Sequence, residues 1–423
     1  MGNLFVKLYG DDDKMIEYQE RRYKEILVKY QELFPHSSDE IQVFSTPGRT
    51  EVGGNHTDHN HGQVLAAGVN LDTVAAASRS GDSIITLYSK GYEEAFIVDT
   101  KDLEVRDEEK ETTLALIRGI AARFKELGYD IGGFNAYISS DVLVGSGLSS
   151  SASIEVLLGT ILNYLYNHGK IDPKLLAMVG QYAENVYFGK PSGLMDQMAC
   201  AVGGFVTIDF KDPSNPLVRK IDFDFGSQNY SLLVVDTGGS HADLTEDYAA
   251  IPGEMKAVAK ELEAEVCREL TKKKILENIP LLRQKVNDRA VLRALHFLNE
   301  NHRVTQQVKA LEEDNFEEFL KLVKESGNSS WKWLQNCYTS HNPLEQGVTL
   351  ALAITEDFIH KAGVGACRVH GGGFAGTIQV FLPSEKVQEY IETIEPMLGQ
   401  GAVTLLNIRP FGSMKVDLNS LEL

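Results

Sequence analysis

The order of apolar patterns along the chain predicts an α+β or α/β protein. Short β-branched runs such as Ile84–Ser89 have the length and composition of strands, whereas Thr113–Leu127 has the apolar spacing of a helix. Both kinds of segment occur in both halves of the 423-residue chain, and this length indicates two or three domains at about 100–200 residues each. A hydrophobic fraction of 43 % and a charged fraction of 24 % are typical of globular proteins.

The elements of the N-terminal half follow from their apolar spacing. Met15–Phe34 carries apolar and aromatic residues at helical spacings among charged ones, which predicts an amphipathic helix. The Gly-Ser segment Val144–Ser153 runs directly into Ile154–Tyr166, an apolar stretch long enough for a buried helix. Short apolar or β-branched runs predict strands at Ile41–Phe44, Gln63–Val69, Thr73–Ala77, Ile84–Ser89, Ile131–Ile138 and Phe205–Phe210.

A turn region with two prolines, Lys211–Pro216, indicates a domain boundary. We expect an N-terminal domain at residues 1–215 and a C-terminal domain at residues 216–423. The second domain is expected to contain a strand at Leu232–Val235, helices over Leu244–Leu334 with breaks near Pro252, Pro280 and Asn315, a helix at Gln346–Ile359, a strand at Thr377–Leu382, a helix at Glu385–Met397 and a strand near Val403–Ile408.

The charge balance restricts the classes of partner. The 60 Asp and Glu residues outnumber the 41 Lys and Arg residues, which gives a formal net charge of −19. A negative field of this size repels nucleic acid and anionic membrane surfaces. Met1–Lys14 lacks the apolar region of a signal peptide, and no apolar stretch reaches the roughly 18 residues of a membrane span. Because the four cysteines are widely spaced, without a disulfide or zinc pattern, we expect a cytoplasmic protein.

The segment Thr46–Gly62 is dense in polar and charged residues, which rarely serve a core. One interpretation is a solvated loop with a Gly-Gly turn. A second is recognition of adjacent sugar hydroxyls by an Asp and a His, with Arg49 supplying positive charge where a phosphoryl group transfers. A third is zinc, although the spacing matches no standard zinc signature, and its ligands would be His56, Asp58, His59 and His61.

The segment Asp141–Ser153 combines glycines with three consecutive serines directly before an apolar helix. Glycines permit close approach of a ligand to the backbone, and the N–H groups and dipole of a helix N-terminus favour a phosphate chain. The Gly-Lys-Ser/Thr ending of a Walker A loop is missing. A flexible Gly-Ser linker is the alternative, but linkers do not normally lead straight into an apolar helix.

Two further segments place polar residues among glycines. The three successive glycines in Gly365–Gly376 predict a tight turn, which is either structural or faces a phosphate. In Glu184–Gln197, Asp196 follows a Pro-Ser-Gly turn and lies among apolar neighbours. A buried carboxylate there needs a partner such as Arg49. The alternative is that Asp196 caps the helix that follows.

Taken in order, these segments resemble the GHMP kinase superfamily and, within it, the galactokinase family. Galactokinases carry a PGR–GEHTDYNxG stretch, a GLSSSAS phosphate loop, a GxMDQ segment and a C-terminal RMTGGGFGG loop. The corresponding stretches, which together span most of the chain, are Pro47–Arg49 with Gly54–Asn60, Gly147–Ser153, Gly193–Gln197 and Arg368–Gly376.

The resemblance implies an α+β fold with two domains and an active site between them. The N-terminal domain would be similar to domain 2 of ribosomal protein S5, and the C-terminal domain would be ferredoxin-like. The implied activity is that of a phosphotransferase with an alcohol group as acceptor, which phosphorylates the anomeric hydroxyl of galactose. ATP is the implied co-substrate and Mg²⁺ the implied metal, and no obligate protein partner is inferred.

The resemblance also assigns roles by motif position. Asp196 would be the catalytic carboxylate, and Arg49 would keep it ionised and stabilise the transferring phosphoryl group. Ser151 and Glu184 would supply oxygen ligands to Mg²⁺. The residues matched to sugar binding are Asn55, His56, Asp58, Gly193 and Tyr248. The residues matched to the phosphates of ATP are Gly145, Ser146, Gly147, Leu148, Ser149, Ser150, Ser151, Ala152 and Ser153.

Four positions depart from the family pattern. Asn55 stands where galactokinases usually have Glu, and the others are Leu143 for Pro, His59 for Tyr and His370 for Thr. The usual Glu accepts a hydrogen bond from the galactose 6-hydroxyl; Asn55 removes its negative charge but keeps an acceptor and adds a donor. Galactose is the expected substrate, and galacturonate or another hexose is the alternative. A non-catalytic galactose sensor is a further alternative, which the intact serine loop disfavours.

Overall fold

A computed structural model describes residues 4–37, 39–142, 145, 147–239 and 244–417. Its helices are α1 (Leu4–Tyr9), α2 (Asp13–Leu33), α3 (Thr113–Glu126), α4 (Ser150–Tyr166), α5 (Pro173–Tyr182), α6 (Met195–Val202), α7 (Thr245–Glu261), α8 (Lys272–Glu277), α9 (Ile279–Lys285), α10 (Asp288–Glu312), α11 (Phe316–Ser329), α12 (Gly347–Ala362) and α13 (Val387–Leu398). Its strands are β1 (Gln42–Gly53), β2 (Gln63–Arg79), β3 (Ile84–Ser89), β4 (Phe96–Asp99), β5 (Phe134–Ser140), β6 (Phe205–Asp209), β7 (Leu217–Ile221), β8 (Tyr230–Asp236), β9 (Ala366–Val369), β10 (Thr377–Pro383), β11 (Val403–Leu406) and β12 (Met414–Val416). The predicted α+β class is confirmed.

The first sheet gathers strands from both ends of the chain. Over the described ranges it has eight strands, with β12, β1, β2, β5, β3 and β4 side by side and with β6 and β7 attached through β2. β3 and β5 run parallel, whereas β1, β5 and β6 are antiparallel to β2. Helices α3, α4 and α5 pack on this sheet around an apolar core that includes Phe44, Phe124 and Phe134.

Strand β2 is the centre of this sheet because both of its halves are paired. Its first half, Gln63–Ala67, pairs with β6, and its second half, Thr73–Arg79, pairs with β5. The strands predicted at Gln63–Val69 and Thr73–Ala77 are therefore parts of one continuous strand. The polar residues between the halves do not end it, since Asn70 and Asp72 are buried and hydrogen-bonded within the fold.

Strand β1 is also longer than predicted, because it continues past Phe44 to Gly53. The segment Thr46–Gly53 is therefore a buried strand paired with β2, and the interpretation of the whole stretch as a solvated loop is wrong. The pairing of β1 with β2 shifts register twice, between Pro47 and Arg49 and again between Glu51 and Gly53. Such bulges bend a strand and redirect its side chains, and they are common next to active sites.

The second sheet has the order β11-β8-β10-β9, and its neighbouring strands are antiparallel. Helices follow β8, and α13 connects β10 to β11, so the element order is the β-α-β-β-α-β of a ferredoxin-like domain. The boundary expected at residue 215 lies inside a hairpin, because β6 pairs with β7 in the first sheet. The sheets change only after Ile221, and β12 returns to the first sheet.

A helical layer formed by α7 to α11 follows β8, in the region that the sequence predicted to be almost wholly helical. The predicted break at Pro252 is wrong, because α7 continues through it. The buried side chains of Ile251, Met255 and Val258 pack with residues of α10 in one apolar core. This packing outweighs the backbone hydrogen bond that a proline removes from a helix interior.

The two sheets share part of their apolar core. Val69 and Phe205 of the first sheet, Leu232 and Phe381 of the second, and Phe319 of α11 belong to one buried cluster. A separate hydrogen bond, between Thr50 of β1 and His370, links the first sheet to the loop between β9 and β10. None of the helices in the described ranges combines the length and apolarity that crossing a membrane requires.

Candidate active site

Arg49 and Asp196 form a bidentate ion pair at the centre of the candidate site. Nε of Arg49 lies 2.7 Å from Oδ1 of Asp196, and its Nη2 lies 2.7 Å from Oδ2. Burial by itself would raise the pKa of Asp196, but Arg49 and a hydrogen bond from Ser149 outweigh it and hold that pKa below its usual value. Asp196 therefore presents an ionised carboxylate whose side chain is 34 % exposed.

The alternative role of Asp196 as a helix cap is wrong. Helix α6 begins at Met195, its N-cap position is Leu194, and Asp196 lies inside the first turn. From there its carboxylate points to Arg49 and Ser149 rather than to the backbone N–H groups of its own helix. The tertiary contact with β1 thus takes the place of local capping.

The serine-rich segment reaches this ion pair from the other side. Ser149 adopts a left-handed conformation with φ of 58°, and α4 begins at the next residue, Ser150. The hydroxyl of Ser149 donates to Oδ2 of Asp196, and Nη1 of Arg49 donates to the carbonyl of Gly147. The N-terminus of a long helix is therefore next to the charged pair, where exposed N–H groups favour a phosphate.

The residues predicted to hold the phosphates do not all face the same way. Gly145 and Gly147 have positive φ values, and Ser150 and Ser151 are partly exposed on the first turn of α4. The side chains of Leu148, Ala152 and Ser153 are instead buried, and the hydroxyl of Ser153 donates to the carbonyl of Thr46 at 2.9 Å. These three side chains anchor the loop, while Ser146 lies outside the described residues.

Glu184 lies on a π-helical turn, Ala183–Phe188, that extends α5. Such turns are rare and are frequent at functional sites. The Glu184 side chain is 4 % exposed. Its Oε2 accepts hydrogen bonds from Oγ of Ser192 at 2.5 Å and from Nε2 of Gln197 at 2.8 Å, while its Oε1 lies 3.2 Å from Nζ of Lys190.

Gln197 also binds a second buried carboxylate. Its Nε2 lies 2.8 Å from Oε2 of Glu155, a residue of α4. Burial and the neighbouring Glu184 raise the pKa of Glu155 well above its usual value. One amide group therefore connects the helix that starts at the phosphate loop with the π-helical turn that carries Glu184.

Asp58 and Gly193, which were both predicted to bind the sugar, lie in direct contact. A Cβ atom added at Gly193 would overlap Oδ2 of Asp58, so only glycine leaves room for this carboxylate. Asp58 is 13 % exposed, and its Oδ1 lies 3.7 Å from Nε2 of His59. The zinc interpretation finds no support, since the described residues contain no group of three or more acidic, His or Cys side chains suited to a metal ion.

His56 and Tyr248 are both tied to the glycine loop between β9 and β10. Nε2 of His56 lies 2.8 Å from the carbonyl of Gly372, and the hydroxyl of Tyr248 donates to the carbonyl of Gly373 at 3.0 Å. Burial lowers the pKa of His56 to about 4, so its ring is neutral at pH 7. Because a carbonyl only accepts, Nε2 carries the hydrogen and Nδ1 is an acceptor suited to a hydroxyl.

The predicted sugar residue Asn55 is held by contacts within the protein. Asn55 is fully buried, and its Nδ2 donates to Oε1 of Glu51 and to the carbonyl of Gly371. Its Oδ1 accepts from Ser330 and Asn336. Because an amide makes two donor and two acceptor contacts, the protein already occupies all four.

This network behind the sugar residues includes a second Arg–carboxylate pair. Nη2 of Arg368 lies 2.6 Å from Oε1 of Glu51, with side chains that are 0 % and 4 % exposed. On the other side, Nε2 of His296 contacts the carbonyl of Asn55 at 3.0 Å, and Oε1 of Glu300 accepts from the N–H of Gly54 at 3.2 Å. Helix α10 and strand β9 thus fix the backbone of Gly54–Asp58, which we call the sugar segment because it carries residues predicted to bind the sugar.

The glycine loop therefore contacts both halves of the candidate site. Its carbonyls accept from Asn55, His56 and Tyr248, and a Cβ added at Gly147 would lie 3.0 Å from Nδ1 of His370. Nε2 of His370 contacts Oγ1 of Thr50 at 3.0 Å. The loop therefore acts as a structural support that joins Asn55 and His56 to Gly147, while the predicted alternative that it faces a phosphate stays a prediction.

Comparisons with known proteins identify the family of this chain. Residues 115–204 match the GHMP kinases N terminal domain, and residues 28–79 match the galactokinase galactose-binding signature. The galactokinase of Streptomyces coelicolor is 31 % identical over 362 residues, which cover 84 % of this chain and 87 % of that protein. The galactokinase of Staphylococcus saprophyticus is 30 % identical over 371 residues, which cover 86 % and 92 %.

Solved structures extend the comparison to the whole fold. The structure of Lactococcus lactis galactokinase complexed with galactose has a TM-score of 0.79 at 25 % identity, and the alignment covers 92 % of this chain and 98 % of that one. Methanococcus jannaschii mevalonate kinase has a TM-score of 0.61 at 17 % identity, over 88 % and 99 %, which shows a common fold alone. The protein therefore has the GHMP kinase fold. Within that class, the chain belongs to the galactokinase family and is an enzyme of the galactokinase type.

Sequence reasoning did not find several residues of the site. Glu51, Lys190, Ser192 and Gln197 contact assigned site residues, yet no role was predicted for them. Gln197 had a detectable signal, because it directly follows Asp196 in the Gly193–Gln197 match. For the others, the contact depends on a bulged strand or on a turn whose geometry residue spacing does not reveal.

Proposed function

We propose that this enzyme transfers the γ-phosphoryl group of ATP to the anomeric C1 hydroxyl of galactose, which gives galactose 1-phosphate and ADP. The observation that carries the proposal is the ionised Asp196, held by Arg49 beside the N-terminus of α4 and three residues from Gly193. The match to the galactose-binding signature covers Arg49, His56 and Asp58, and it supports galactose as the sugar.

Asp196 receives the hydrogen bond of the C1 hydroxyl and directs the oxygen at the phosphoryl group. Its low pKa makes it a weak base, and phosphoryl transfer passes through a loose transition state in which catalysis is mainly positioning and electrostatic stabilisation. We therefore assign Asp196 the tasks of orienting the hydroxyl and taking its proton as the new bond forms. Arg49 holds Asp196 in place and supplies positive charge next to the phosphate loop.

Sugar recognition is assigned to Asp58, His56 and Tyr248, with Gly193 providing the space for Asp58. The two oxygens of the Asp58 carboxyl group can accept from adjacent hydroxyls, and neutral His56 accepts through Nδ1. Asn55 supports this set from behind, because its amide joins the sugar segment to the glycine loop. The 6-hydroxyl contact that the family makes at this position would need another group here.

The residues present fit Mg²⁺ as the metal of this reaction. Glu184 is a nearly buried carboxylate, and Ser151 offers a hydroxyl on the first turn of α4, so both are the oxygen donors that this hard cation prefers. When bound, Mg²⁺ would neutralise phosphate charge and draw electrons from the transferring group. The requirement for ATP also favours a cytoplasmic location, in agreement with four free, buried cysteines.

The experiment is a substrate panel with purified enzyme and Mg-ATP. Galactose, galacturonate, galactosamine and N-acetylgalactosamine are compared by ADP release, and ³¹P NMR identifies the phosphorylated position. We expect galactose to have the highest kcat/KM and the product to be the 1-phosphate. Faster turnover of galacturonate would replace galactose as the substrate. Absence of turnover on every sugar, with galactose binding intact, would indicate a sensor instead of a kinase.

A further inference from the structure

Lys190 lies in the active site but belongs to none of the groups assigned above. It follows the π-helical turn that carries Glu184, between Gly189, which has a φ of 87°, and Pro191. The backbone N–H groups of Gly189 and Lys190 both donate to the carbonyl of Glu184, at 3.0 and 3.1 Å. The backbone of Lys190 is therefore fixed next to Glu184, although its side chain is 61 % exposed.

The ion pair between Lys190 and Glu184 joins a movable cation to a fixed anion. Oε2 of Glu184 is held by Ser192 and Gln197, whereas Oε1 has Lys190 as its cationic partner at 3.2 Å. The carboxylates of Asp196 and Glu155 also act on the Lys190 side chain electrostatically. The ammonium group is therefore within electrostatic reach of the catalytic carboxylate.

The position of this ammonium conflicts with a divalent cation at the same oxygen. A metal ligated by Oε1 would displace Lys190, because two cations cannot share one carboxylate oxygen at contact distance without strong repulsion. The displaced side chain is long and exposed, and it acts electrostatically on Asp196, which in turn contacts Ser149 next to the start of α4. The strongest anion expected there is the polyphosphate of ATP.

We propose that Lys190 is an exchangeable counter-ion: it pairs with Glu184 when no metal is bound and binds the nucleotide phosphates when Mg²⁺ occupies Glu184. The inference rests on the proposed function, since it requires a nucleotide at the phosphate loop. The protein has a net charge of −19, yet it must bind a polyanion. Lys190 would provide a second positively charged side chain, besides Arg49, at the nucleotide site. With the metal bound, Lys190 would contact the phosphates directly. Without the metal, it would act indirectly by neutralising Glu184, which would otherwise repel the nucleotide.

Binding of ADP to Lys190→Met, measured by calorimetry in Mg²⁺ and in EDTA, tests the exchange without any turnover. We expect affinity to fall about tenfold in Mg²⁺, the size of one charge-assisted hydrogen bond. In EDTA the loss should be larger, because no cation then neutralises Glu184. The stimulation of ADP binding by Mg²⁺ is therefore expected to be greater in the variant than in the wild type. Lys190→Arg should restore most of the affinity under both conditions.

Lys110→Met is the matched control. Lys110 lies beside the same turn, since its Cδ would be 3.6 Å from a Cβ atom at Gly189, but it pairs with the exposed Asp107. Its removal changes the net charge equally and should leave ADP affinity within twofold. Equal affinities of wild type and Lys190→Met, or equal losses in the two lysine variants, would overturn the exchange. Failure of wild-type enzyme to bind ADP would instead overturn the proposed function itself, together with this inference.

Discussion

Strand β1 contributes to two Arg–carboxylate pairs only two residues apart, and their environments are opposite. Arg49 pairs with Asp196, whose side chain is 34 % exposed, whereas Glu51 pairs with Arg368 in an interior where both side chains are at most 4 % exposed. The pKa of Asp196 is lowered by its partners. The pKa of Glu51 is raised, because burial outweighs the attraction of Arg368 and Arg49.

The comparison shows how the same pair of groups serves two purposes. The open pair keeps a charged carboxylate partly exposed, and Ser149 connects it to the N-terminus of α4. The closed pair exposes no group to a ligand, but through Asn55 it holds the sugar segment against the glycine loop. Chemistry is therefore expected to depend on the first pair and stability on the second.

The largest expected effect is loss of turnover in Asp196→Asn, which removes the charge of the open pair with almost no change in shape. We expect kcat to fall roughly 10³-fold, within the range for loss of a proton-transferring group. Galactose binding, measured by calorimetry without ATP, should be retained. A kcat within tenfold of wild type would remove Asp196 from its assigned role.

In the closed pair, Arg368→Met should act on stability instead. It leaves Glu51 buried without its cation, which costs about 3–5 kcal/mol when a buried pair is broken. Denaturant unfolding measures the loss. The control is Arg283→Met, which breaks the exposed pair with Asp288 and should cost below about 1 kcal/mol. Similar losses in the two variants would contradict the assignment of the closed pair to stability.

A smaller effect is expected from Gly193→Ala, which tests the space beside Asp58. The added methyl group overlaps the Asp58 carboxylate, so we expect the KM for galactose to rise about tenfold or more by displacement of a positioned group. Gly253→Ala is the control, because a Cβ atom there meets no atom within 4 Å. An unchanged KM in Gly193→Ala would show that Asp58 does not bind the sugar.

The smallest effects are two pH dependences of opposite sign. The lowered pKa of Asp196 stabilises the wild type relative to Asp196→Asn at pH values above about 4, the ordinary value for Asp. This stabilisation is lost as the pH falls through the folded-state pKa. The raised pKa of Glu51 acts in reverse: relative to Glu51→Gln, the wild type loses stability as the pH rises above about 4.3. Thermal unfolding of the three proteins between pH 3 and 7 measures both, and parallel curves would contradict them.

Much of the fold could be predicted from local pattern. The strand Ile84–Ser89 was predicted at its observed bounds, and the helices expected at Met15–Phe34 and Thr113–Leu127 differ from α2 and α3 by at most two residues at either end. The prediction failed where long-range pairing overrides local composition. The polar residues after Phe44 suggested a solvated loop, and those between Val69 and Thr73 suggested a break between two strands. Both sets of residues lie in continuous strands, where partners distant in sequence form hydrogen bonds with them.

The candidate site shows the same division. Arg49 and Asp196 were expected to pair, and the structure shows this ion pair. The alternative that Asp196 caps helix α6 could be excluded only from the three-dimensional structure. The family match predicted that Asn55 contacts the sugar. In the structure its side chain contacts Glu51 and the carbonyl of Gly371 in the interior, and these contacts could not be read from its position in the chain.

The sequence by itself determined the family, the chemistry of the charged and glycine-rich segments and the order of most elements, because short-range patterns and motif residues carry that information. It also raised the question of how a chain with a net charge of −19 holds a nucleotide. Only the tertiary structure decided which charges face the site and which are buried behind it. The reason is physical: burial and the partner across a fold, rather than position in the chain, set the ionisation and the accessibility of each carboxylate.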